Sequence, residues 1–284
     1  MTIALVTAAA LPGLFPDDRI LLHALRHRGH AAEPVIWEDQ RYPWADAEAV
    51  VIRSAWDYSW RRPAFLAWAD AVPRGRLWNA ASVVRWNTHK RYLLDLAERG
   101  VSVIPTVLVP AGSGANLAAV MSDRDWPDAV LKPAVGQSGR YTQRVRPDDR
   151  VAGQAFLDRL LPTEDMLVQR FVPGIGETGE MSLTYFDGTF SHAVRKRAAA
   201  GDFRVHDDYG GTVEREAPSA AELRAAEAAL EAVDGDLLYA RVDLVRGPDG
   251  KPTVMELELV EPELFFAHAP ESAVRMADAI RARC

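Results

Sequence analysis

The sequence has little cysteine: Cys284 stands alone among 284 residues. An intrachain disulfide is therefore excluded, which fits a reducing, cytoplasmic setting. No apolar run approaches the roughly 20 residues of a membrane-crossing helix. The apolar opening, MTIALVTAAALPGLFPDD, lacks a basic flank and soon meets Pro12 and Asp17; it reads as a first strand rather than an export signal. Positive charge is in deficit, 33 Lys and Arg against 40 Asp and Glu, a formal charge of −7. That argues against nucleic-acid binding as the main function, while leaving room for a local basic pocket. Repeats of solenoid period and low-complexity tracts are also missing.

What is present is ordinary globular composition, 48% hydrophobic and 26% charged, with length for two or three subdomains. The first 80 residues alternate strand and helix patterns: strands at 3–6, 34–37, 50–53 and 77–79, helices at 17–28 and 63–71. This predicts a small parallel sheet covered by helices, with ligands meeting the C-terminal strand ends. Thr7 and the run Arg53-Ser54-Ala55-Trp56-Asp57-Tyr58 fall there. An arginine followed by aromatics suits a substrate carboxylate; packing aromatics and a structural ion pair for Arg53 are the alternative.

A linker at 80–87 leads to a helical pattern at 88–99, with Tyr92, Leu93, Leu96 and Ala97 on one face and Gly100 as its stop. Lys90 falls in the first turn, where a cation opposes the helix dipole unless it faces an anion. Strand patterns at 101–109 and 129–132 end on Lys132, before the turn Gly136-Gln137-Ser138-Gly139 and an extended 141–145. Glycines let backbone N–H groups approach an anion and a lysine adds charge, although no Gly-Lys-Ser/Thr opens a helix here. A helix at 148–161 and a strand at 166–172 precede a glycine-containing loop at 173–179. A hairpin then turns at Asp187-Gly188. Its second strand ends in Arg195-Lys196-Arg197, and alternation lets only one of Arg195 and Lys196 face a site. Ser219 with Glu222 is a capping-box signature for a helix to about 233.

The remaining stretch, 237–266, holds two apolar runs flanking Gly247-Pro248-Asp249-Gly250. Arg241 and Asp243 are two apart, as are Glu256 and Glu258, so on paired strands they share a face. Clustered carboxylates repel unless a cation compensates, and Mg²⁺ is held by one or two carboxylates plus substrate phosphates. The bland counterpart is the solvated face of an ordinary hairpin.

Taken in order, a lysine at a helix start, a lysine before a glycine loop, Gln-x-Phe-Val, an acid, a basic strand, Arg-x-Asp and Glu-x-Glu resemble the ATP-grasp superfamily, in its glutathione synthetase and ribosomal-protein glutamate ligase branch. The resemblance spans nearly the whole chain. It implies an α/β fold with an N-terminal open α/β domain (1–80), a small lobe (81–168) and a C-terminal lobe carrying a metal site (169–284). ATP with Mg²⁺ or Mn²⁺ is implied as cofactor, along with a small amino-acid-like substrate, no nucleic-acid or membrane partner, and a homodimer. By resemblance Lys90 and Lys132 contact the phosphates, and Gly136, Gln137, Ser138 and Gly139 fold over them. Gln169, Arg170, Phe171 and Val172 hold adenine, and either Glu180 or Glu177 takes the ribose. Asp243, Glu256 and Glu258 bind metal, and Arg241 lies near the transferred phosphoryl group. Lys196 and Arg204 stabilise an acyl phosphate or hold a substrate carboxylate. Thr7, Arg53, Trp56, Asp57 and Glu261 belong to the substrate side.

Glu258 stands where the glutathione synthetase pattern has Asn, and Glu261 replaces a small residue, which moves the substrate away from that type. The runs RSAWDY, RWNTHKRYLLDLAERG and SHAVRKRAAAGDFRV resemble a bacterial subgroup containing the cyclo-ligase that closes O-ureido-D-serine to D-cycloserine. The expected activity is an ADP-forming carboxylate–amine ligase, intramolecular if it follows that subgroup. A phosphotransferase on a small metabolite and a non-catalytic nucleotide-binding module are the alternatives.

Overall fold

The computed structural model describes residues 2–137, 139–199, 204–205 and 210–284. Strands β1 (Ile3–Thr7), β2 (Ala32–Ile36), β3 (Ala49–Ser54) and β4 (Leu77–Trp78) form a parallel sheet in the order β2-β1-β3-β4. β1 and β3 are buried along their whole length, as expected of crossover sheets covered on both faces. Helix α1 (Pro16–His27) opens on proline with Asp17 and Asp18 in its first turn; a pre-set φ and complementary charge both favour that start. Helix α2 (Arg62–Ala71) follows a 3₁₀ turn at Trp56–Trp60.

Helices α3 (Ala81–Asn87) and α4 (Tyr92–Glu98) come next. The expected linker at 80–87 is thus a helix, and the expected single helix at 88–99 begins later. Lys90 lies in the turn between the two, its backbone N–H donating to the Ala134 carbonyl at 2.7 Å, so the helix-dipole argument does not apply to it. The reason is tertiary. The buried Asn87 amide donates to Leu257 O at 2.8 Å and accepts from Leu259 N at 2.8 Å, which pins the end of α3 to the strand edge beyond.

A second sheet joins β5 (Thr106–Val109), β6 (Ala129–Pro133), β7 (Gln143–Val145) and β8 (Met166–Arg170) in the order β5-β8-β6-β7, all antiparallel. It packs on α5 (Leu117–Ser122) and α6 (Arg150–Leu160) through Leu117, Met121, Leu131, Leu157 and Val168. Gly153 sits inside α6 because a Cβ there would fall 2.7 Å from a Val145 methyl. The strand expected over 101–109 is regular only from Thr106; Val103 makes an isolated bridge to Val254.

After the short turn of helix α7 (Gly174–Glu177), the third sheet contains β9 (Glu180–Phe186), β10 (Thr189–Arg197), β11 (Thr212–Arg215), β12 (Tyr239–Arg246) and β13 (Pro252–Glu258) in the order β11-β10-β9-β12-β13. Helix α8 (Ala220–Glu231) starts at the Ser219–Glu222 capping box, and helix α9 (Glu271–Arg281) ends the fold. One face of this sheet, with Met181, Leu183, Val242 and Leu257, packs on Tyr92 and Leu96 of α4 and Ala226 and Ala229 of α8. Within 81–98, Val83, Tyr92, Leu93 and Leu96 therefore lie in the core of the third sheet, and Val84 in that of the first. Helix α9 returns to α1, with Met276 and Ile280 against Leu21 and Leu25. Among the described residues, no helix is long and apolar enough to cross a membrane.

Candidate active site

The other face of the third sheet is polar. Asp243 on β12 lies opposite Ser182 on β9 and Glu256 on β13. In the next row, Arg241 lies opposite Thr184 and Glu258. Lys196 on β10 pairs in register with Glu180 on β9. This face floors a cleft of about 360 Å³ walled by Trp56 and Tyr58 of the 3₁₀ turn after β3 and by the second sheet's Lys132 and Gln169, a volume typical of small-molecule sites.

Every charge on the floor has a counterpart. Arg241 meets Asp243 twice, Nε to Oδ1 at 3.0 Å and Nη2 to Oδ2 at 2.9 Å, also contacts Glu258, and donates to Glu263 O at 3.0 Å. Asp243 further accepts from Ser182 Oγ at 2.6 Å and Lys196 Nζ at 3.2 Å. Lys196 also ion-pairs with Glu180, and Lys90 with Glu256. Lys90 Nζ donates to Gly136 O at 3.0 Å, tying the glycine turn to the floor.

These contacts set the titration behaviour. Burial works against ionisation of Asp243, but Arg241 and Lys196 hold it well below the carboxylate range. Burial likewise opposes Glu256, yet Lys90 and Lys132 bring it down to about 2. Glu258 is pushed up to about 7 by burial and by Asp243 and Glu256, against Arg241. Lys132 is lowered by burial and by Lys90, against Glu256 and Glu180; among the described residues it has no ion-pair partner.

The structure brings Lys90, Lys132, Gly136, Gln137, Gly139, Gln169, Arg170, Phe171, Val172, Glu180, Lys196, Arg204, Arg241, Glu256, Glu258, Trp56 and Glu261 into this one cleft. Ser138 lies outside the described residues. Of the adjacent pair, Lys196 faces the cleft and Arg195 turns away to Glu216 and Glu222. Four expected residues are placed elsewhere. Arg53 is wholly buried, bonded to Asp18 at 2.9 Å and to Pro262 O, so it braces β3 against α1 and the segment after β13 and has no face for a substrate. Thr7 is buried with its hydroxyl on Leu11 O at 2.7 Å. Asp57 accepts from Trp37 Nε1 at 2.9 Å and pairs with Arg61. Glu177 lines a separate surface hollow beside Arg195, whereas Glu180 lines the cleft.

Asp243, expected as a metal ligand, is enclosed instead. Its side chain is 3% exposed and both oxygens are occupied, while Glu256 and Glu258 are 26% and 27% exposed. Among the described residues, no three His, Cys, Asp or Glu side chains form a metal-holding group. The oxygen-only pair Glu256 and Glu258 fits a hard divalent cation completed by phosphates; Asp243 reaches one only by releasing Arg241 or Lys196. Gln169 gives its side-chain amide to Thr106 Oγ1 at 3.0 Å, a bond within the sheet. The Arg170 and Phe171 amides go to Pro105 O and Asp128 O. Phe15 and Phe265 also line the cleft. Phe265 takes a left-handed φ of 54° and places its ring 5.4 Å from the Arg241 guanidinium; no pattern in the sequence marks either residue.

The family described as "D-cycloserine synthetase DcsG, N-terminal domain" matches residues 3–79. The cycloserine biosynthesis protein DcsG of Streptomyces lavendulae is 39% identical over 300 residues, covering 99% of this chain and 98% of its own. The crystal structure of D-cycloserine synthetase DcsG superposes with a TM-score of 0.90 at 36% identity, covering 100% of this chain and 99% of that one. The ATP-grasp ligase PsnB, solved with a minimal precursor, Mg and ADP, matches with a TM-score of 0.67 over 99% of this chain and 97% of its own, at 20% identity, a likeness of fold.

Proposed function

The chain belongs to the D-cycloserine synthetase family of ATP-grasp ligases, and from that premise we propose that it activates the carboxylate of a small amino acid with ATP and closes it onto a nitrogen of the same molecule. It is an ATP-dependent ligase. In the proposed reaction a substrate carboxylate oxygen attacks the γ-phosphorus of ATP and ADP leaves. The nitrogen lone pair then attacks the acyl carbon, inorganic phosphate departs with the C–O electron pair, and the nitrogen loses a proton.

The observation that carries this reading is the meeting of Lys90 and Lys132 with Glu256 and Glu258 in one cleft. Phosphoryl transfer asks mainly for positioning and charge neutralisation. Lys132, half-buried and without an ion pair among the described residues, is held below its usual range by burial and by Lys90, so an anionic phosphate beside it relieves both effects. Lys90 lies against the glycine turn and aligns the same phosphates. Arg241 and Lys196, kept charged by Asp243, stand where charge develops on the transferred group. The 169–172 segment takes the adenine and Glu180 the ribose. Glu256 and Glu258 would hold Mg²⁺, which adds neutralisation of the phosphates.

The test is nucleotide product analysis with candidate amino acids, O-ureido-D-serine first. ADP and phosphate formed only with substrate, together with a hydroxamate when hydroxylamine is added, support the reading. AMP and pyrophosphate overturn it.

A further inference from the structure

Among the cleft carboxylates, Glu180, Glu256 and Glu258 each have an ion-pair partner. Glu261 does not. Its Oε1 accepts from the neutral Gln137 amide at 2.9 Å, and no cation lies within ion-pair distance of it among the described residues. The Tyr58 hydroxyl lies beside both side chains. The position is nonetheless firmly built. Trp56 Nε1 donates to Glu261 O at 3.0 Å, and the buried Arg53 holds the next carbonyl, Pro262 O. Trp56 is fixed in turn by an edge contact with Phe15, ring centroids 4.8 Å apart.

A charge brought into such a place without a counter-ion is costly, and here three elements converge to hold it. Cation and aromatic chemistry fit together at this wall: a carboxylate for an ammonium group, with an indole beside it. We propose that Glu261, framed by Gln137, Trp56 and Tyr58, is the subsite for the positively charged amino group of the substrate, and so selects zwitterionic amino acids over their neutral-nitrogen analogues. Burial, with Glu258 and Glu256 nearby and against the Tyr58 hydroxyl and the more distant Lys90, pushes the Glu261 carboxyl up to about 8, and a bound ammonium group relieves that penalty. The substrate's own carboxylate is then directed away from Glu261, toward Lys196 and Arg241. The chain thereby uses an acid at a position where neighbouring acids already crowd the floor. This subsite rests on the ligase reading above.

The test is calorimetric binding of D-cycloserine, a primary amine, and of its N-acetyl derivative to enzyme loaded with Mg²⁺ and a non-hydrolysable ATP analogue. Wild type is expected to favour the amine by about 10- to 100-fold, the scale of a hydrogen bond to a charged group. Glu261→Gln, which still offers an oxygen to Gln137, is expected to bind both probes alike. A preference that survives in Glu261→Gln overturns the subsite, as does a changed Mg²⁺ requirement with the preference intact. If Glu261→Gln also loses the nucleotide, Glu261→Asp decides: a retained preference supports the subsite, and its loss with nucleotide bound overturns it. Neither probe binding to nucleotide-loaded wild type overturns the substrate class of the proposed function, and the subsite with it.

Discussion

Arg241 and Asp243, two residues apart on β12, form a bidentate buried pair at 3.0 and 2.9 Å. The pair joins the two ends of the cleft floor, because Arg241 reaches Glu258 and Asp243 reaches Lys196. Replacing one member leaves its partner's charge stranded away from water. Asp243→Asn is therefore expected to lower stability by about 3–5 kcal/mol, read as a reduced urea midpoint at unchanged slope. An unchanged midpoint would mean that the charges at this floor are not held as the contacts indicate.

Arg53 is reassigned from substrate binding to bracing, and the two roles separate experimentally. Arg53→Met leaves Asp18 buried without its cation, a loss again of about 3–5 kcal/mol. Thermal unfolding should register it. A carboxylate-binding arginine would instead raise the KM for the amino acid and leave the unfolding midpoint in place.

Glu256 combines an ion pair to Lys90 with an open flank toward the cleft. Glu256→Gln is expected to reduce kcat/KM by about 100-fold, equivalent to roughly 3 kcal/mol of transition-state stabilisation, and to raise the Mg²⁺ concentration for half-maximal rate. Titration of ADP release against Mg²⁺ checks both.

His192 supplies a pH signature far from the chemistry. It is buried, with its Nε2–H on Leu264 O at 2.8 Å. Burial, reinforced by Arg275 and Arg215 against the Leu264 bond, lowers it from 6.5 to about 4. Between those values the unfolded chain binds a proton that the folded one does not, so this contribution is complete above pH 6.5 and is lost as pH falls toward 4. The full difference is about 3 kcal/mol. Unfolding free energies of wild type and His192→Gln across pH 4–7 should converge at the acid end; parallel curves would contradict the assignment.

Much of this was legible along the chain, because local pattern and final structure agree there. The apolar runs of β1 and β3, the Asp187-Gly188 hairpin, the Ser219–Glu222 cap and the shared face of Arg241 with Asp243 all depend on residues close in sequence. What was not legible depends on distance. The Arg53 partner, Asp18, lies 35 positions away, and Asp243 is saturated by Lys196 and Ser182, 47 and 61 positions away. Helix α3 has no side-chain cap and owes its place to Asn87 and to Val83 and Val84 in the surrounding cores. Helix α9 is different: Ala273, Met276, Ala277 and Ile280 form a 3.6-residue apolar stripe, a signal that was present in the sequence.

The proposed reaction runs through an acyl phosphate formed in this cleft. Its most direct test is isotope transfer, using substrate labelled with ¹⁸O in the carboxylate, ATP and Mg²⁺, with the inorganic phosphate analysed by mass. One ¹⁸O atom carried into each phosphate released is the predicted result. Label retained wholly in the organic product, or recovered in AMP, would contradict it.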